Sequence, residues 1–135
     1  MTYAASAALQ MAVHDRLVQD AALGTLIGGA VHDTVPPGVP DAPYVLLGGE
    51  EVRDRSDVSG AGAEHRFQVS VVSPAASFLV AKQAAAAVSE ALADAPMNLT
   101  QGHLVGLWFR SATARRIGGG TMRRIDLTFS ARIDG

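Results

Sequence analysis

The 135-residue sequence has no cysteine, one tryptophan and one lysine, and its charges nearly cancel. Without cysteine there is no disulfide framework, no thiolate nucleophile and no cysteine-based zinc site. The fold must then rest on packing, which fits a reducing, intracellular place of synthesis. No apolar run approaches the roughly 20 residues that cross a bilayer, so no membrane partner is expected. The segment Met1 to Ala12 holds alanines and a serine but no preceding Lys or Arg and no compact leucine-rich stretch, and it is not read as an export signal. Eleven basic against 13 acidic residues give a net charge of −2, too little for a protein whose main task is to grip nucleic acid through its phosphates. With 48% hydrophobic and 18% charged residues the chain is globular, and its length suits one domain over residues 1–135.

Chemistry is equally sparse. His14, His32, His65 and His103 never stand at helical ligand spacing, and none lies in a cluster of acidic residues, so no metal is expected. The pair His32-Asp33 lacks an accompanying activated nucleophile. Gly118-Gly119-Gly120 leads into a strand, whereas a phosphate-cradling loop opens a helix and presents a Lys-Ser or Lys-Thr. Glu50 and Glu51 are consecutive and point to opposite sides of an extended chain, a poor arrangement for a general acid and base sharing one substrate. No catalytic, cofactor-binding or metal-binding residue is assigned, and no cofactor is expected. Arg110, Arg115, Arg116, Arg123 and Arg124 could touch phosphates, yet Trp108 and Phe109 read as core rather than as a stacking platform. No helix-turn-helix or RNA-binding signature is present.

Periodicity gives the organisation. Thr2 can cap a helix over about residues 3–22, in which Ala5, Leu9, Val13, Leu17 and Ala21 share one side. Gly24, Gly28 and Gly29 end it, a short Val31–Thr34 segment follows, and Pro36, Pro37, Pro40 and Pro43 exclude helix or central strand. Tyr44–Leu47 reads as a buried strand and residues 50–63 as a loop or mobile hairpin arm, the Ser59–Gly62 stretch closing it. In residues 64–72, His65, Phe67, Val69 and Val71 alternate with polar positions, placing His65 at the end of the core. Ser73-Pro74 supplies a cap and a first-turn proline for an alanine-rich helix to about Asp94. Strands over 103–111 and 121–133 join through the glycine turn as an antiparallel hairpin. The fold class expected is α+β, a mostly antiparallel sheet of four to five strands with two helices packed on one face.

Two features point to self-association. Val105, Leu107 and Phe109 oppose Leu104 and Trp108 across one strand, and Tyr44 with Leu46 opposes Val45 with Leu47. Two helices cannot cover both faces, so a loop or another copy of the chain must cover the second. Charge is also segregated. Residues 41–64 carry Asp41, Glu50, Glu51, Asp54, Asp57 and Glu64 against Arg53 and Arg55, whereas residues 110–132 carry six arginines against Asp126 alone. These can be wet surface faces or complementary contacts between identical copies.

The order and local wording resemble the tail terminator, or tail completion, proteins of long-tailed bacteriophages and phage-like gene transfer agents. The resemblance runs from the N-terminal helix ending at Leu23-Gly24 through Pro43-Tyr44-Val45-Leu46 and the strand His65-Arg66-Phe67-Gln68-Val69-Ser70-Val71. It continues through the helix ending at Ala91-Leu92 to Asp126-Leu127-Thr128-Phe129-Ser130-Ala131, covering nearly the whole chain. It implies a binding protein rather than an enzyme: a homohexameric ring that stops tail-tube growth and joins tail to head. Its expected partners are itself, the tail tube protein and a head-completion or stopper protein, with DNA only passing through the channel. The implied setting is the bacterial cytoplasm during assembly and then the head-tail junction of the particle. Glu50, Glu51, Arg53, Asp54, Arg55 and Asp57 on the arm, with Arg115 and Arg116, are the candidate subunit or partner contacts. Another tail or head-completion subunit, or a small-molecule-binding α+β domain or enzyme, remains open at this stage.

Overall fold

The computed structural model describes residues 3–58, 60–74, 77–93 and 96–135. Five strands, β1 (Val31–His32), β2 (Tyr44–Asp54), β3 (Gly62–Ser73), β4 (His103–Ile117) and β5 (Met122–Asp134), form one sheet in the order β1-β2-β3-β5-β4. β1 pairs with β2 in parallel and the other three pairings are antiparallel. Helices α1 (Ser6–Gln19), α2 (Ala21–Ile27) and α3 (Phe78–Leu92) pack against one face, giving the expected α+β class with three helices in place of two.

The additional helix comes from Asp20. A continuous helix over residues 3–22 is not formed, because Asp20 adopts an extended backbone (φ −73°, ψ 122°) and its carboxylate accepts the Leu23 N–H at 2.9 Å, starting α2. The break turns Ala21 outward, and Leu23 and Ile27 are buried in its stead. Gly24 lies inside α2, and the helix stops at Gly28, whose φ of 63° suits a residue without a side chain. The cap expected from Thr2 lies outside the described residues, as does the end of the second predicted helix at Asp94.

The start of α3 is also displaced. Ser73 and Pro74 do not open it, because β3 continues to Ser73 opposite Arg123 of β5. The cap is Ser77, whose hydroxyl accepts the Leu79 N–H at 3.1 Å. The buried side of α3 is Ala81, Ala84, Ala85, Val88, Ala91 and Leu92, small enough to let the helix lie close to the sheet.

Strand alternation sorts the two faces. Ile125, Leu127, Phe129, Ala131 and Ile133 of β5 meet Val71, Val69, Phe67, His65 and Ala63 of β3 on the helix face, and the Phe67 and Phe129 rings stack at 5.7 Å. The opposite face is mostly polar: Ser70 donates to Asp126 at 2.6 Å, Arg124 to Asp126 at 2.8 Å and Ser130 to Glu64 at 2.9 Å. The expectation of a second large apolar face is therefore corrected. Tyr44, Leu46 and Val72 form a small cluster there, closed within the chain by Ala30, Ile117 and Met122. On β4, register shifts after Leu104 and after Phe109 interrupt the alternation. They bring Leu104 opposite Ile133 and Leu107 opposite Ala131, on one face rather than two.

Replacing Asp20 by Ala removes the acceptor that starts α2. We expect a loss of about 1 kcal/mol, a fall of roughly 4 °C in Tm, with Asp20→Asn retaining most of the stability. Thermal unfolding followed by circular dichroism checks this.

Candidate functional site

Residues 50–63, expected as a loop or mobile hairpin arm, are built as a hairpin. β2 runs through Asp54, β3 begins at Gly62, and the intervening turn is tied by Arg55 N–H to Gly62 O at 2.8 Å and Asp57 N–H to Gly60 O at 3.0 Å. Ser59 lies outside the described residues. At the base of the hairpin Gly48 and Gly49 together oppose Gln68, a two-against-one bulge between Leu47 and Glu50. A Cβ on Gly48 would stand 3.3 Å from the Gln68 carbonyl oxygen, so glycine eases the close approach of the strands.

The bulge turns Glu50 to the helix face. Its Oε1 accepts the Ser6 hydroxyl at 2.6 Å and the Tyr3 hydroxyl at 2.7 Å, and its Oε2 lies 3.3 Å from Nδ1 of the fully buried His65. A carboxylate only accepts, so Nδ1 carries the proton, and the buried Nε2 has no hydrogen-bond partner among the described residues. Burial raises the Glu50 carboxyl, but hydrogen bonds from Ser6, Tyr3 and His65 outweigh it and hold the group below the ordinary glutamate value. The sequence placed His65 at the core end. Its link to Glu50, and the joint anchoring of Tyr3 and Ser6, needed the bulge and were not legible. Glu50 is thus a structural anchor as well as a candidate contact.

The other candidates on the arm are more exposed. Glu51 pairs with Arg53 along the strand, Asp54 accepts from the Ser56 N–H at 3.1 Å, and Arg55 lies 3.4 Å from Glu64. Asp57 sits in the turn beside the fully exposed Val58.

Arg115 and Arg116 occupy no loop. They lie in β4 opposite Arg124 and Arg123, four and five residues beyond the expected strand end at 111. Arg115 lies 3.3 Å from Asp126 on the polar face. The Arg116 guanidinium is over the Phe78 ring at 5.8 Å on the helix face. β4 has one partner strand, β5, and among the described residues no strand pairs with its outer side. Only Leu107 of β4 is buried, while Val105, Trp108 and Phe109 remain 53%, 45% and 48% exposed. Trp108 and Phe109 therefore are not the core residues they resemble in sequence. The Trp108 ring folds over Gly106, where a Cβ would stand 2.5 Å from it. Beyond Phe109 an open groove of about 310 Å³ runs between β4 and α3, lined by Phe109, Ala112, Ala114, Ala85, Ala86 and Lys82 among others.

The structure does not bring the acidic and basic candidates together. β3 and β5 stand between β2 and β4, a separation of roughly 14 Å at about 4.8 Å per strand. The beginning of β2 is covered by β1 at Val45 and Leu46 only, so its outer side from Leu47 to Asp54 is a second open edge among the described residues. Among the described residues no group of three or more His, Asp or Glu could hold a metal ion, and no helix is long and apolar enough to cross a membrane.

Residues 11–134 match the family described as Tail completion protein gp17. The chain belongs to this family. A solved chain from the "Virion of native gene transfer agent (GTA) particle" superposes with a TM-score of 0.92 and 54% identity, over 99% of this chain and 100% of that one. Comparison with curated proteins gives no significant match. As a tail completion protein the chain is a structural component of phage-type tails, and its informative surfaces are those that meet other subunits.

Glu50 generates a pH prediction. A carboxyl held below its unfolded value contributes stability that is full above about pH 4.3 and is lost as pH falls through the folded value. In Glu50→Gln, Oε1 can still accept from Ser6 and Tyr3, but the amide donors face the His65 Nδ1–H. We expect lower stability at neutral pH and a flatter decline below about pH 4.3, measured by urea unfolding across pH. A slope unchanged from wild type would show that Glu50 does not carry the acid sensitivity.

Proposed function

We propose that this tail completion protein assembles head-to-tail into a homohexameric ring that ends the tail tube and joins it to the head connector. The observation that carries the reading is full-length likeness, at 54% identity, to a chain of a gene transfer agent virion. The segregation of charge supports it. A cyclic ring needs each subunit to offer two different and complementary surfaces, and this sheet has an acidic open edge along β2 beyond β1 on one side and a basic β4 edge on the other. The tail tube protein would meet one rim and a head-completion or stopper protein the other, with DNA crossing the channel. Such a subunit works by binding, in the host cytoplasm during assembly and then at the head-tail junction of the particle.

Size-exclusion chromatography with light scattering, alone and with purified tail tube added, tests the ring. The expected species has a mass of about 84 kDa, six times the 14.0 kDa chain. Extended tubes would instead favour a tube subunit, and a monomer that stays monomeric on tube tips would overturn the reading. For the charged contacts, Glu51→Arg or Arg115→Glu alone is expected to reduce the ring fraction, and the double reversal to restore part of it. Two single reversals that assemble like wild type would remove these residues from the interface.

A further inference from the structure

We infer that the subunits join by strand addition, the outer edge of β4 in one copy pairing antiparallel with the outer edge of β2 in the next, so that the sheet continues across the seam. The inference rests on the head-to-tail assembly proposed above and specifies its contact. An edge strand presents a row of unpaired N–H and C=O groups. β4 does so over 15 residues without a proline or a covering segment among the described residues, and β2 does so from Leu47 to Asp54.

Three observations choose a second copy as the occupant. The first is direction. β2, β3, β5 and β4 are successively antiparallel, so β2 and β4 run oppositely within one chain. Rotation about a ring axis preserves that relation, and β4 therefore meets the neighbour's β2 in the antiparallel sense that the rest of the sheet already uses. The second is charge. β4 carries Arg110, Arg115 and Arg116 with no acid, whereas β2 carries Glu50, Glu51 and Asp54 against Arg53.

The third is register. The regular part of β4 after its second shift is Ser111–Ile117, and the regular part of β2 after its bulge is Glu50–Asp54. Arg115 and Glu51 lie on the polar face, and Arg116, Glu50, Ala114 and Val52 lie on the helix face. Setting Arg115 opposite Glu51 places Arg116 opposite Glu50 and Ala114 opposite Val52, matching both charge and polarity on both faces. A shift of two residues in one direction sets Arg115 against Arg53, and in the other against Gly49. The pairing also has an apolar complement. Beside the β2 edge on the helix face stands Tyr3, hydrogen-bonded to Glu50 and 64% exposed. In this register the half-buried Val52, opposite Ala114, faces the neighbour's groove between β4 and α3. Exposed ion pairs contribute little by themselves, so the backbone ladder and this apolar contact hold the seam while the charges select its register.

The native absence of cysteine makes the test direct. In Val52→Cys/Ala114→Cys, the paired thiols of adjacent copies would be directly opposite, about 5 Å apart at Cβ. A short bifunctional thiol reagent, applied to the assembled protein with tail tube present where needed, is expected to give a covalent ladder ending at the ring. Each single variant is expected to give none. Hydrogen exchange on the wild type supplies a readout free of substitution: every second amide of Ser111–Ile117 is expected to slow on assembly. A ring by mass with no 52–114 cross-link and no new protection overturns the seam while leaving the ring reading intact. Covalent dimers from Ala114→Cys alone reveal a two-fold β4 contact and overturn it as well. Failure to assemble under any of these conditions removes both.

Discussion

β5 is hydrogen-bonded to β3 on one side and β4 on the other along nearly its whole length, and the fold depends on that double pairing. The strand brings together segments from the middle and the end of the chain, and its alternation decides what each face becomes. Phe129 and Ala131 are fully buried under the helices, while Asp126 binds Ser70 and Arg124 on the other side. Burial raises the Asp126 carboxyl, and the Ser70 and Arg124 hydrogen bonds with the nearby Arg124 and Arg115 charges more than reverse it. Glu64 is lowered by the Ser130 hydroxyl and by Arg66, Arg55 and Arg110 against a smaller opposing effect of burial. The polar face is therefore a sheet surface of satisfied charges, wet on one side, as antiparallel sheets allow.

This division locates the incompleteness of the isolated chain. The helices cover one face and the other is mostly polar, and Val105, Trp108 and Phe109 form an exposed apolar group at the β4 edge. An exposed β4 combines free backbone groups with aromatic side chains, the pattern that natural sheets usually blunt. Here the two register shifts and the three arginines are the visible restraints. A surface that is hazardous in a free monomer is useful in a subunit whose working state is assembled.

The legible parts of the fold were those governed by simple periods. The alternation in residues 65–71 and 125–133 identifies two central strands, and the alanine-rich segment identifies α3. Asp20 was harder, because Leu9, Val13 and Leu17 continue smoothly to Ala21 and conceal a break set by one side-chain acceptor. Gly48-Gly49 conceals a bulge that turns Glu50 inward. The run from Ser111 to Arg116 lacks bulky apolar residues, and its weak strand signal follows from that composition. The candidate charges were visible as two clusters, yet their placement on opposite edges depends on strand order, which no local pattern contains.

Strand order also determines which assemblies the chain can favour. Two basic β4 edges brought together would oppose six arginines with no acidic residue on either strand, and two β2 edges would gather six carboxylates against two arginines. Both two-fold arrangements collect like charge, whereas β4 against β2 relieves it, so the sequence disfavours closed dimers as well as supporting the heterologous contact. A heterologous contact closes into a ring only when its rotation divides a full turn; otherwise it propagates as a filament. Six copies require about 60° per subunit, or about 15° for each of the four strands, β2, β3, β5 and β4, that a β4-to-β2 seam would make continuous. The bulges at Gly48-Gly49 and along β4 lie at the two edges that would form the seam. Because bulges bend a strand and increase its local twist, they are positioned to set the turn between neighbours and hence the difference between a ring and an open fibre.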